Sequence, residues 1–129
     1  MALSDLKRGK KPQRKPNLTI DLSAFMPEKE TAQITFREPT GSDLFKALQA
    51  ASIKEKTKYP DYDDEQLKTI RLMALCYIPS DADQGKYNVF EALADLVNDN
   101  PLMYLYIHGT FMSEYQLDVS YLAEQVPND

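Results

Sequence analysis

The sequence predicts an α+β fold, mostly helical, with an N-terminal antiparallel β-hairpin followed by four or five α-helices. Three observations predict it. Apolar and polar residues alternate with a period of two around 18–22 and 32–36, the pattern of half-buried strands. Beyond Pro39 the apolar positions recur every three or four residues, and most of these runs open on a capping signal. The length, 129 residues at 43% hydrophobic and 27% charged, suffices for one modest core and rarely for two.

Ahead of the first strand, residues 1–17 carry six cations, Lys7, Arg8, Lys10, Lys11, Arg14 and Lys15, against Asp5. This arm is therefore +5 while the remaining 112 residues carry −10. It reads as a flexible basic arm before a single domain at 18–129. Clustered cations can bind nucleic acid by releasing condensed counterions. The arm has no aromatic residue to stack on bases, however, and its two prolines and one glycine oppose a helix. An acidic partner, or the protein's own body, suits it equally well.

Leu18, Ile20 and Leu22 form the apolar side of the first strand, and Ala32, Ile34 and Phe36 that of the second. Their connection is too short for a helical crossover, so they pair antiparallel. Pro39 pushes Glu38 out of the helical region and ends the strand. Thr40 and Asp43 then stand three apart, as in a capping box. They open a helix with Leu44, Ala47, Leu48 and Ala51 on one side. Lys54, Lys56 and Lys58 suit its C-terminus, and Pro60 stops it.

Asp61, Asp63, Asp64 and Glu65 begin the next helix, which carries Leu67, Ile70, Ala74 and Tyr77 inward and runs to Pro79. The acids lack the glycine and terminal glutamate of an EF-hand, so they are helix-start chemistry. A polar loop over 80–87 leads to Asn88 and Glu91, which cap a helix burying Val89, Phe90, Leu93, Leu96 and Val97. Asn100 and Pro101 open the next. The last segment, 118–126, reads as a short helix stopped by Pro127.

Catalytic patterns are scarce, and neither enzyme activity nor a cofactor is expected. There is no glycine-rich phosphate loop. A single histidine, His108, and a single cysteine, Cys76, exclude His-based metal clusters and a disulfide framework. Cys76 lies in an apolar helical run, where it reads as a small core residue. No apolar run is long enough to span a bilayer, and the start has no secretory h-region. The expected location is a cytoplasm.

The segment 101–116 is apolar nearly all round. Leu102, Leu105, Gly109 and Met112 line one face, and Tyr104, His108, Phe111 and Tyr115 a second; Glu114 is its only charge. Such a helix is central in the core or covered by another chain. Met103, Tyr104, Phe111, Met112 and Tyr115 are the candidate partner or oligomer surface. Arg37 and Glu38 are candidate exposed contacts at the strand–helix turn.

The run Phe36-Arg37-Glu38-Pro39-Thr40, followed by Asp43-Leu44, resembles the tail assembly chaperones of long-tailed bacteriophages. Those proteins often carry a strand ending in an LREPT-like turn, then a helix opening with an acid and a leucine. The specific resemblance covers about ten residues, and a coarser one, a small acidic α+β body, covers 18–129. It implies a non-enzymatic protein of the bacterial host cytoplasm that binds the tape measure protein and keeps it soluble. It also implies help in bringing tail tube protein to that client, and absence from the mature virion. Many such chaperones have a longer form made by −1 ribosomal frameshifting; here Val126-Pro127-Asn128 can be encoded as C CCA AAT, a heptamer of that form. A structural tail completion or connector component of the virion is the alternative. A small nucleic-acid-binding regulator acting through the arm is a third.

Overall fold

A computed structural model of the protein describes residues 15–28, 30–80, 88–115 and 117. The sheet has three antiparallel strands in the order β1 (Leu18–Asp21), β2 (Gln33–Phe36), β3 (Tyr77–Ile78). Five helices accompany it among the described residues: α1 (Gly41–Ala47), α2 (Ile53–Lys58), α3 (Asp64–Cys76), α4 (Val89–Asp99) and α5 (Pro101–Glu114). This is the expected α+β, mostly helical arrangement.

The predicted hairpin is present, with Leu18 opposite Phe36 and Ile20 opposite Ile34. Leu22 N–H donates to Ala32 O and extends the pairing one residue beyond β1, and a 3-10 turn at Ser23–Phe25 follows. Period-two alternation places Ile20, Leu22 and Phe36 in the core.

Two elements differ from the sequence expectation. The helix expected over 40–58 is two helices: α1 ends at Ala47, and Ser52 caps α2 by accepting from Glu55 N–H. The helix expected to reach Pro79 stops at Cys76, and Tyr77–Ile78 pair with Thr35–Phe36 as a third strand. Arg37 N–H continues that ladder by donating to Cys76 O at 2.9 Å.

Helix starts follow the sequence closely. Asp63 and Gln66 form a reciprocal capping box on α3. Asn88 accepts from Glu91 N–H on α4, and Asn100 with Pro101 opens α5. Each cap satisfies an amide that the first helical turn leaves free.

The layers pack in sequence: α1 on α3, α3 on α4, α4 on α5, and α5 back on β1. Their common core is Phe36, Leu67, Ile70, Met73, Cys76, Ile107 and Phe111, all fully buried. Phe36 meets Phe111 edge-on at 5.1 Å, joining sheet to helix. Cys76 occupies the small core position expected of it. Residues 1–14 of the basic arm, the loop over 81–87 and the segments at 118–126 and 126–128 discussed above lie outside the described residues.

Candidate functional site

The strand–helix junction is a single polar cluster. Thr40 and Asp43 form the reciprocal capping box: Asp43 N–H donates to Thr40 Oγ1 at 3.1 Å, and Thr40 N–H to Asp43 Oδ2 at 2.8 Å. Asp43 is 5% exposed, so its charge needs a partner. Arg37 supplies one, with Nη1 and Nη2 donating to the two carboxylate oxygens at 2.6 and 3.1 Å. The Arg37 guanidinium and the Thr40 donors hold the Asp43 carboxyl well below the usual carboxylate range, against the opposing effect of burial.

Arg37 Nη2 also donates to Leu75 O at 2.8 Å, in the last turn of α3. A cation there satisfies an otherwise free carbonyl and suits the helix dipole. The candidate turn contacts are thus differently employed from the sequence expectation. Arg37 is an internal clamp between α1 and α3. Glu38 is half-buried, and its Oε2 accepts from the backbone N–H of Lys15 at 2.8 Å. Lys15 Nζ reaches Glu114 O at 2.6 Å, so the arm's last lysine lies against the domain.

The clamp fixes the helix that forms one wall of an apolar groove. Leu44 and Phe45 of α1, Leu48 just after it, Thr69 and Leu72 of α3, and Met112 and Leu117 line the groove. The groove is open, has a volume of about 310 Å³, and includes one charged residue, Lys68. Phe45 stands at its lip 78% exposed, and Leu48 is 56% exposed. Two large apolar side chains are thus left open to solvent along one side of the groove. The sequence reading placed Leu44 and Leu48 on α1's apolar side, but nothing local signalled that they would remain partly uncovered.

On α5 the structure resolves which face is inward. Tyr104 and Phe111 are buried, His108 and Tyr115 half-buried, while Leu102 and Leu105 face outward. Of the candidate surface residues, Met103, Tyr104 and Phe111 therefore belong to the core within one chain. Tyr115 is half-buried with its ring edge-on to Phe111. Met112 alone of the five lines the groove. The aromatic face goes inward because Phe111 meets Phe36 there, at 5.1 Å; along the helix itself Tyr104 stacks on His108 at 5.8 Å. Burial pushes the Tyr104 phenol up to about 12 and the His108 imidazole down.

A second, polar cleft lies where α2, α3 and α4 meet. Its charges are largely matched internally, by Arg71 with Glu55 and by Lys58 with Glu91, both at 2.7 Å. Among the described residues no three His, Cys, Asp or Glu side chains are grouped to hold a metal ion. No described helix is long and apolar enough to cross a membrane. Comparison with protein-family models, curated proteins and solved structures gives no match.

Proposed function

We propose that the protein is a tail assembly chaperone of a long-tailed bacteriophage, acting in the host cytoplasm. In this reading it holds an apolar segment of the tape measure protein in the α1–α3 groove until tail tube protein is delivered to that client. The observation that carries the reading is the groove itself: apolar, open, and lipped by Phe45. The resemblance at Phe36–Thr40 supports it, because that motif launches the helix that bears Phe45 and ends at Leu48.

An open surface suits a chaperone better than a deep pocket, since its client must leave. Met112 supplies an unbranched, adaptable contact in the groove's lining. Lys68 gives the wall a single cation that can meet a carboxylate flanking the client's apolar residues.

Co-expression with the large tape-measure-like protein tests this. The expected result is a soluble client that co-purifies with the chain, and loss of both effects with Phe45→Asp and Leu48→Asp. A client that stays insoluble and unbound, also with any frameshift-extended form of the chain, overturns the reading in favour of a virion component.

A further inference from the structure

We propose that the outward face of α5 is a self-association surface that pairs two copies of this chain about a twofold axis. This face is separate from α1 and its exposed Phe45. It carries Leu102, 70% exposed, Leu105, 59% exposed, Tyr106, 46% exposed, and Gly109. At spacings of three, one and three residues they form a continuous strip on one side of the helix.

Charge argues for a second copy as occupant. Outside the basic arm the chain carries −10, yet no residue from 101 to 113 is charged. Two such acidic bodies repel one another over most approaches. Along this strip they meet without opposed carboxylates.

Shape argues the same way. Among the described residues beyond its own stretch of helix, a Cβ built on Gly109 would touch nothing within 4 Å, so their packing in one chain gives no reason for glycine there. Mid-helix glycine is otherwise unfavourable. Four residues before it stands Leu105, a large exposed knob. When two α5 helices cross antiparallel with the axis midway between these positions, Leu105 of each copy lies over Gly109 of the other. The strip is self-complementary, as a twofold interface requires.

Its extent sets the strength. Residues 102–112 span about 15 Å of helix, well short of the roughly 800 Å² per partner of a stable standard interface. The pairing is therefore reversible.

Analytical ultracentrifugation of the full chain, from low micromolar to near-millimolar concentration, is the test. The expected mass climbs from one chain toward two. Leu105→Asp and Gly109→Gln each weaken the association by about tenfold or more. Both positions are exposed, so circular dichroism and thermal melts show an intact fold, with Gly109→Gln no less stable than wild type. Phe45→Asp, in the groove, leaves self-association unchanged and so separates this proposal from the chaperone reading. A chain that is monomeric throughout overturns it, as it would if another protein takes this face. Association that survives both α5 substitutions, and so uses another surface, overturns it as well.

Discussion

Asp43 has two roles at one position: it caps α1 through Thr40 and neutralises Arg37. Arg37 in turn reaches the last turn of α3 through Leu75 O, so two side chains orient two helices. Arg37→Ala leaves the nearly buried carboxylate without its cation, which for a fully buried pair costs several kcal/mol. The Arg37 side chain is 36% exposed, and solvent screening reduces the expected loss to about 2 kcal/mol. Urea denaturation at neutral pH measures it. The same pair predicts an acid dependence. The folded-state pKa of Asp43 is depressed, chiefly by its hydrogen bonds with Arg37, so its contribution is fully present above the unfolded value near about 3.9. It is lost as pH falls through the lower folded value. Asp43→Asn should flatten the decline in stability below about pH 4; an unchanged slope would show that other groups govern it. The cap was legible in the sequence because Thr40 and Asp43 lie three residues apart. The pairing of Arg37 was not, since nothing local distinguishes an arginine turned inward from one facing solvent.

The break between α1 and α2 shows the same limit one level up. Apolar spacing runs on from Leu44 through Ala51, and a continuous helix is the natural reading. Ser52 offers a competing cap, and Arg71, from α3, stabilises the break. Its Nη1 donates to Ala47 O at 3.2 Å and to Gln49 O at 2.6 Å, while Nη2 holds Glu55 at 2.7 Å. One guanidinium thus closes the end of α1 and anchors the start of α2. The third strand has a similar origin, because Tyr77 and Ile78 leave the helical path to pair with β2. Ser52 and Pro79 mark these departures locally, but Arg71 and β2, distant in sequence, complete them, whereas the β1–β2 hairpin, with both strands close together, was readable from alternation alone. Arg71→Met keeps the apolar stem but removes every one of these hydrogen bonds. It should cost about 2 kcal/mol, because the part-buried acceptors at Ala47 and Glu55 are left unmet while the exposed Gln49 O turns to water. Amide exchange should quicken in α1 and α2 while α5 keeps its protection. Uniform quickening across all helices would instead mean that Arg71 supports the whole core.

At the scale of the molecule, the question left by an all-round apolar α5 was which face the fold would cover. Periodicity could not decide, because both faces are apolar; Phe36 decided it by meeting Phe111 at 5.1 Å. The groove was hidden for the complementary reason, since it exists only where α1, α3 and the end of α5 fail to close over Leu44, Phe45 and Leu48. This division predicts that stability and binding separate by residue. Phe111 is fully buried, so Phe111→Ala should cost about 3–5 kcal/mol through lost burial and a cavity. A small domain has only about 5–15 kcal/mol in total, and any loss of binding in that variant would follow from unfolding. Phe45 is 78% exposed, so Phe45→Asp should change stability by no more than about 0.5 kcal/mol. The proposed client should nevertheless no longer co-purify with it. Thermal melts and client co-purification on the two variants read both quantities. If Phe45→Asp retains the client, the groove is not the docking surface. If it melts with Phe111→Ala, Phe45 belongs to the core, and the open groove is not a feature of the folded protein in solution.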